Sequence, residues 1–361
     1  MKKQLLGFAA CALILSSCSQ NQEIENYEQM NREEVRLAPY VNKTKASVTN
    51  LDAMQKSEYS GFKVFAVQHA TEANGDYSKM PVFMNNIQEL WVTDKWTHAG
   101  SYYWPETQAL SFFMVAPYYA PSASEAVTNP TLDIIKGQSM TLPITIKDNV
   151  AEQIDILAAS VLNQTKAKSV VDFTFKHILS RIGFAAKVKD GENLKFKITG
   201  ISFTYGANIV KDGTFTFGET ENTGAIKIGS ALHGVTTSSI IGLKTPDGTI
   251  VASNKFDPIN ADDSYLMLMP QEIPSANDKN LMMMTLRYDV AVAGDNYSEK
   301  NKTATIAIPA MKYEQGKAYT YNLILSSKSD DNGNLLEVTF GTVGVENWVA
   351  DTTQPGETPV E

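Results

Sequence analysis

Alternation of apolar and polar residues with a period of two recurs through much of the chain, and it restricts the fold more than any other sequence feature. In residues 281–292, every even-numbered position from Met282 to Val292 is apolar or aromatic, with Thr285 and Arg287 between them. The same pattern occurs in residues 194–199, 214–217, 319–325 and 336–340. Successive side chains of a strand point to opposite faces of a sheet, so the pattern predicts half-buried strands of antiparallel sheets.

Turn signals separate these strands. Asp-Gly pairs lie at residues 190–191, 212–213 and 247–248, and residues 330–334 include Asn332-Gly333. These pairs favour tight hairpin turns. Helical periodicity is scarce, and short helices are expected near residues 49–55 and 150–162. Because strands do not alternate with long helical patterns, a doubly wound α/β fold is disfavoured and an all-β fold of sandwiches is predicted.

Length and charge limit the domain number and the class of partner. A chain of 361 residues corresponds to about two domains at roughly 150 residues each. Its net charge of −9 lacks the basic excess that electrostatic binding to nucleic acid needs. A polar, basic stretch at residues 163–169 marks, to within about ten residues, the predicted division between an N-terminal sandwich (35–168) and a C-terminal sandwich (169–350). Residues 351–361 contain Pro355, Gly356 and Pro359 and are expected to form a mobile tail.

The first 17 residues have the order of a secretory signal peptide. Lys2 and Lys3 precede an apolar run at residues 5–15 that is too short to span a bilayer as a helix. The run ends in Leu-Ser-Ser-Cys, the pattern of a bacterial lipobox, in which small residues admit a peptidase and the thiol receives diacylglycerol. The sequence therefore predicts cleavage between Ser17 and Cys18, lipid attachment at Cys18, and a solvated tether at residues 18–34.

Cleavage would remove Cys11 and leave Cys18 as the one cysteine of the mature chain. An intrachain disulfide could then not form, even in an oxidising compartment. Ser19 follows Cys18 where an aspartate would signal retention, so export to the cell outer membrane is predicted.

Catalytic and metal-binding patterns are weak. His177 is in phase with Phe173 and has no Cys or carboxylate at ligand spacing, so it is interpreted as a core or interface histidine. Residues 330–334 match the first three ligand positions of a calcium loop, but Leu335 stands where the loop needs Gly and Gly341 where it needs Glu. A hairpin turn is therefore the preferred interpretation. The sequence predicts no enzymatic activity, no cofactor and no metal site.

Aromatic residues crowd residues 91–104. They are Trp91, Trp96, Tyr102, Tyr103 and Trp104. Ring faces can stack on sugars, which suggests glycan binding, and large rings also fill sandwich cores. Both interpretations stay open at this point.

Several segments, in this order, resemble the fimbrillin-like (Mfa-like) lipoproteins of Bacteroidales, which are components of type V pili. They are Tyr-Tyr-Trp-Pro at 102–105, Leu-Ser-Phe-Phe at 110–113, Ala-Pro-Tyr at 116–118, residues 173–184, Leu-Met-Leu-Met-Pro-Gln at 266–271, Gly-Lys-Ala-Tyr-Thr-Tyr at 316–321 and Val-Glu-Asn-Trp at 345–348. Together with the lipobox they span nearly the whole chain. The resemblance implies two tandem transthyretin-like β-sandwiches and a role in surface pili assembled by strand exchange.

The resemblance implies a structural or accessory (anchor or tip) subunit of a cell-surface fimbria that supports adhesion. Its expected partners are other fimbrial subunits, the outer membrane through the lipid anchor, and ligands on host or bacterial surfaces. The alternative is a surface glycan-binding lipoprotein that uses residues 91–104. Residues 351–353, Asp-Thr-Thr, resemble an O-glycosylation acceptor of Bacteroidales, so Thr352 is a candidate modification site.

Strand exchange needs a strand that leaves and a strand that replaces it. A sandwich that lacks one strand exposes unpaired backbone groups and an apolar groove, which an extended segment of a neighbour can fill. Residues 35–41 are the candidate for the displaced strand, and residues 335–349 for the donor. The candidate donor side chains are Leu336, Val338, Phe340, Val343, Val345 and Trp348. The same segment can also be the last strand of its own sandwich.

Stalk subunits of the family are activated by an arginine-specific protease that cuts in the loop after the first strand. Here that loop, residues 42–47, contains Lys43 and Lys45 but no arginine, whereas Arg32 and Arg36 lie before or at the start of the strand. These four residues are the candidate processing sites. The departure favours an anchor, accessory or tip subunit over a stalk subunit.

Overall fold

The structure, a computed structural model, describes residues 33–41, 54–55, 61–70, 80–118, 140–168, 170–206, 208–234, 238–262, 264–273, 282–297, 299–330 and 333–348. Within these ranges the chain is built from β-strands arranged in several sheets, which confirms the all-β fold class. No helix in the same ranges has the length and apolar character needed to cross a bilayer.

The strands fall along the whole described chain. The first eight are β1 (Arg36–Val41), β2 (Phe62–His69), β3 (Val82–Val92), β4 (Lys95–His98), β5 (Ala109–Ala116), β6 (Thr141–Thr145), β7 (Leu157–Gln164) and β8 (Val170–His177). The next eight are β9 (Ser180–Val188), β10 (Leu194–Thr204), β11 (Asp212–Phe217), β12 (Gly224–Ile228), β13 (Ser238–Ile241), β14 (Thr249–Val251), β15 (Asp257–Pro258) and β16 (Leu266–Leu268). The last seven are β17 (Glu272–Ile273), β18 (Met283–Val292), β19 (Glu299–Ala307), β20 (Met311–Lys312), β21 (Lys317–Asp330), β22 (Gly333–Phe340) and β23 (Gly344–Asn347).

A large sheet contains seven strands in the order β1-β8-β7-β5-β2-β3-β4. Phe62 on β2 and Phe173 on β8 are separated by two strands, yet their ring centroids are 5.7 Å apart. Adjacent strands lie about 4.8 Å apart, so a flat sheet would separate these two strands by about 14 Å. The sheet therefore curls around an apolar interior, the inner core. Its members include Val35, Leu37, Phe62, Trp104, Phe112, Phe173 and Phe175.

A three-stranded sheet, ordered β12-β11-β6, packs on another face of the large sheet. Phe113 of β5 meets Phe217 of β11 edge to face, with centroids 5.3 Å apart. This contact belongs to a second cluster, the middle core. Its members include Phe65, Phe113, Leu142, Ile178, Phe217, Met267 and Trp348. The middle core therefore joins residues from the first and the last parts of the chain.

Two further sheets face each other in the C-terminal half. One contains β10, β13, β14, β18 and β19, and the other contains β9, β15, β16, β21, β22 and β23. Between them Phe184 of β9 stacks on Phe203 of β10, at 5.2 Å, and on Tyr321 of β21, at 5.9 Å. The alternation along β18 decides which side chains enter this C-terminal core: Met284, Leu286 and Tyr288 are fully buried.

Most pairings are antiparallel, as the sequence predicts, but β1 pairs with β8 and β9 pairs with β21 in parallel. The prediction of a helix across residues 150–162 is wrong beyond its first three residues. A short 3₁₀ helix at Val150–Glu152 is followed by strand β7, in which seven of the eight side chains are buried. A strand buried on both faces lacks alternation, so its apolar run cannot be distinguished from a helix by periodicity.

The predicted division between residues 168 and 169 falls inside the large sheet. β8 follows the polar stretch and pairs with β1 and with the start of β7, both of which begin before that stretch. The stretch therefore connects two neighbouring strands of one sheet.

Candidate functional site: the terminal strands

β1 occupies one edge of the large sheet. Its six residues pair in parallel with β8, from Arg36 opposite Val170 to Val41 opposite Phe175. Pro39 has no N–H group to donate to a further strand, which suits an edge position. Leu37 points into the inner core and is 6% exposed, whereas Arg36 faces solvent. Thus β1 combines a buried apolar face with one paired edge.

The residues just before β1 are held by a second segment. The Val35 N–H donates to the Tyr102 carbonyl at 2.8 Å, and the Trp104 N–H donates to the Glu33 carbonyl at 2.9 Å. Between these bonds, Glu34 and Tyr103 form an antiparallel bridge. We call residues 33–35 the N-terminal lead. The lead fixes the start of β1 against residues 102–104.

The other candidate strand lies near the opposite end of the chain. β22 and β23 both pair antiparallel with β21, so in this structure they complete a sheet of their own chain. Val338, Phe340 and Val343 pack half-buried against the C-terminal core. Leu336 of β22 lies opposite Ser327 of β21, and Val345 of β23 is 52% exposed.

Trp348, directly after β23, is 2% exposed and anchors this segment. Its ring stacks on the imidazole of His177, with centroids 4.0 Å apart and planes 6° apart. The guanidinium of Arg181 lies 5.1 Å from the centre of the indole and 4.3 Å from that of Tyr265. The backbone N–H of Trp348 donates to the backbone carbonyl of Gly316 at 2.8 Å. We call this arrangement the Trp348 pocket.

The Trp348 pocket contains a hydrogen-bonded histidine–aspartate pair that the sequence analysis missed. Nδ1 of His177 is 2.8 Å from Oδ2 of Asp155, and both side chains are almost fully buried. Burial lowers the pKa of Arg181, and the charge of Asp155 opposes that shift. The sequence signal was an aspartate between Ile154 and Ile156, because a lone carboxylate in an apolar run needs a buried partner. His177 is thus a core histidine, as interpreted from the sequence, although it has a carboxylate partner.

A profile of the fimbrillin-like family matches residues 44–348, which is most of the chain. The chain belongs to the fimbrillin-like family. The match begins just after β1 and ends at Trp348. Fimbrillin-like proteins are structural, so this protein is not an enzyme, as its sequence predicts.

Solved structures with the same architecture include a fimbrial protein from Bacteroides vulgatus ATCC 8482. It is 21% identical to this fimbrillin-like chain with a TM-score of 0.60, and the match covers 88% of this chain and 100% of that one. The tip fimbrial protein Mfa3 from Porphyromonas gingivalis, with C-terminal truncation, is 9% identical with a TM-score of 0.36, over 81% of this chain and 97% of that one. The first likeness shows a shared fold. No curated protein sequence matches the chain.

In this fimbrillin-like protein Trp96, Tyr102 and Trp104 of the aromatic residues in 91–104 pack on the inner core. Trp104 is 4% exposed and meets Phe112 edge to face at 6.0 Å. Trp96 meets Phe62 at 4.9 Å and Trp91 at 5.3 Å. Trp104 therefore presents no open ring face on which a sugar could stack.

Other predicted site residues are only partly covered. Arg36 is exposed at the start of β1. Ser17, Cys18, Arg32, Lys43, Lys45 and Thr352 lie outside the described residues. At the proposed turn of residues 330–334, Asp330 ends β21 opposite Gly333 of β22. Across the described ranges, no group of three or more His, Cys, Asp or Glu side chains is arranged to hold a metal ion.

Proposed function

We propose that this fimbrillin-like protein is a structural or accessory subunit of a cell-surface fimbria, assembled by strand exchange and supporting adhesion. Family membership supports the fimbrial role, and the Bacteroides vulgatus protein of the same fold is itself described as fimbrial. The observation that carries the proposal is the position of β1: an edge strand with apolar side chains in the core, followed by the start of the family match.

Loss of β1 would create an acceptor groove. The backbone groups of β8 from Val170 to Phe175 would lose their partners, and the places of Val35 and Leu37 would become openings into the inner core. An unpaired edge beside an apolar slot favours addition of an extended segment, because main-chain hydrogen bonds supply affinity and alternate side chains fill the pockets. The groove is therefore suited to a strand from another subunit.

The proposed donor is residues 335–349. Two-residue alternation of Leu336, Val338 and Phe340 matches what such a groove requires. In the isolated chain this segment pairs with β21, and Trp348 is buried in its pocket. Donation would therefore need β22 to separate from β21 and Trp348 to leave its pocket. The Trp348 pocket thus opposes release of the donor segment until a partner is present.

We propose a domain organisation of two tandem transthyretin-like sandwiches. The C-terminal one corresponds to the facing sheets around Phe184, and the N-terminal one to the curled large sheet. The pairing of β8 with β7 supports a division after His177, which lies within about ten residues of the predicted boundary.

Export as a lipoprotein completes the proposal. The lipobox supports removal of residues 1–17 and lipid attachment at Cys18, with residues 18–34 as a tether to the outer membrane. The partners would be other fimbrial subunits and ligands on neighbouring cell surfaces. The missing arginine in residues 42–47 supports an anchor, accessory or tip position over a stalk position.

The test is controlled removal of β1. Residues 42–47 are replaced by the recognition site of a sequence-specific protease, and the cut chain is mixed with a synthetic peptide of residues 335–349. We expect the cut chain to release β1 and bind the peptide, because the peptide restores both the hydrogen bonds and the apolar contacts.

Two controls accompany this experiment. The uncut chain keeps its groove filled, so it should not bind the peptide. A peptide that carries Val338→Asp and Phe340→Asp cannot fill apolar pockets, so the cut chain should not bind it. Release of β1 from a folded chain without any gain of peptide binding or self-association would reject strand exchange.

A further inference from the structure

A buried acid–base pair lies beside the N-terminal lead. Nδ1 of His98 on β4 is 2.6 Å from Oε1 of Glu89 on β3, and the two side chains are 7% and 1% exposed. The backbone around Glu89 is tightly confined, since a Cβ atom on Gly61 would lie 1.7 Å from the Glu89 carbonyl oxygen. The backbone of Glu89 therefore lies directly against that of Gly61.

The pair is connected to the lead through Tyr102. The ring of His98 meets the ring of Tyr102 edge to face, with centroids 5.3 Å apart. The carbonyl of Tyr102 accepts the hydrogen bond from Val35, the last residue of the lead. Any change in the charge or position of His98 thus acts on a residue that directly holds the start of β1.

Charge links the same elements. The hydrogen bond to Glu89 raises the pKa of His98 above its ordinary value, although burial opposes it. Burial raises the pKa of Glu89, although its hydrogen bond to His98 opposes it. The carboxylate of Glu34, in the middle of the lead, raises both pKa values further. Glu34, Glu89, His98 and the Tyr102 phenol are titratable groups at this junction, and the same elements carry Glu33, the Tyr103 phenol opposite Glu34, and Arg36.

We propose that the Glu89–His98 pair and Glu34 form a pH-sensitive clamp that controls how firmly the N-terminal strand is held. With His98 protonated, its positive charge attracts two carboxylates, one buried on β3 and one on the lead. With His98 neutral, the two carboxylates repel and the lead loosens. The biological meaning of this clamp rests on the proposed role of β1 as the strand that is exchanged.

The direction of the pH dependence follows from linkage. Of the causes of these shifts, the charge of Glu34 is the one that the lead supplies, so its contribution is lost when the lead opens. Because Glu34 raises the pKa of His98 in the closed state, it stabilises that state below the ordinary histidine pKa of about 6.5, and the stabilisation is lost as pH rises through the raised value. The rise that Glu34 causes in the pKa of Glu89 acts in the same direction. The lead is therefore held best in mildly acidic solution and opens more readily as the solution becomes alkaline.

The experiment is hydrogen–deuterium exchange of the full chain at pH 6, 7 and 8, read by mass spectrometry on peptides that cover residues 33–41. Rates are divided by the intrinsic rate of an unstructured peptide at each pH. We expect the normalised opening rate of β1 to be higher at pH 8 than at pH 6, because His98 loses its proton as pH rises through its raised pKa. Exchange in β10, which is remote from the pair, should keep a constant normalised rate.

Matched variants test the assignment. Glu34→Gln should reduce the pH dependence, whereas Glu33→Gln, one residue earlier in the same lead, should leave it intact. His98→Gln should abolish it, and circular dichroism checks that this variant is folded. Both glutamates of the lead are exposed, so their comparison decides the matter even if His98→Gln unfolds.

A pH-independent opening of β1 in the unmodified chain would overturn the clamp. Equal effects of Glu33→Gln and Glu34→Gln would also overturn it, because they would indicate general charge repulsion. The readout uses the isolated chain, so it is separate from assembly. A chain that shows the clamp but never gains peptide binding would count against strand exchange alone.

Discussion

Replacing Trp348 with alanine should greatly destabilise the folded chain, although the residue lies in a short terminal segment. A buried aromatic ring of this size removes about 150–250 Å² from water, which corresponds to about 4–6 kcal/mol at 25 cal/mol per Å². Trp348 stacks on His177 and lies over Arg181, and its loss would leave these buried polar groups without their apolar cover. We therefore expect a loss of about 3–5 kcal/mol in the free energy of unfolding.

The assay is urea unfolding followed by circular dichroism, since tryptophan fluorescence would itself change with the substitution. Val345→Ala is the matched control, because Val345 lies in the same segment but is 52% exposed. It should alter stability by less than about 0.5 kcal/mol. Trp348→Phe retains a stacking ring and should recover part of the loss. If Trp348→Ala were as mild as Val345→Ala, the pocket would not hold the C-terminal segment, and the argument that it opposes strand release would fail.

Three further predictions concern other parts of the chain. Gly61→Ala should lower the free energy of unfolding by at least about 3 kcal/mol or prevent folding, because φ is +77° and the new Cβ would overlap the Glu89 carbonyl. Gly191→Ala, at φ +87° with no atom within 4 Å, should lower it by only about 1–2 kcal/mol. Thermal melting of both variants makes the comparison. Burial raises the pKa of Tyr321 to about 12 and that of Tyr313 further, so ultraviolet titration of the folded chain and of Tyr321→Phe should coincide up to about pH 11; an extra ionisation lost in the variant would contradict this. Cys18→Ala should abolish incorporation of a palmitate analogue and normal signal cleavage, and unchanged labelling would remove the basis for a lipoprotein.

The strands that face solvent on one side could be predicted from sequence. In β18 the buried residues recur at every second position, and the predicted alternation of residues 281–292 matches the observed strand. The same holds for β11, and in β10 the alternation runs to Ile198 and resumes at Ile201 after a bulge. One-sided burial leaves a period of two in the sequence, and that is the signal which predicts an exposed strand.

Pairings between distant strands could not be predicted in the same way. The pattern in residues 35–41 indicates a strand, but nothing in it specifies a parallel partner at Val170, because backbone hydrogen bonding is the same for any strand sequence. The pairs His177–Asp155 and His98–Glu89 depend on how strands and loops approach in space. Lone charged residues in apolar surroundings indicate that a partner exists, but they do not identify it.

The middle core has a consequence for the time course of folding. It joins Phe113 of β5 to Phe217 of β11 and includes Trp348, the last residue that the structure describes. The N-terminal half therefore cannot complete its packing until the segment that contains Trp348 has been synthesised. Contacts between residues so far apart in sequence slow folding, and incompletely packed intermediates expose apolar surface and free strand edges. Such a chain would depend on chaperones for as long as its final strand is missing, and a truncation near the C-terminus would impair the N-terminal half as well.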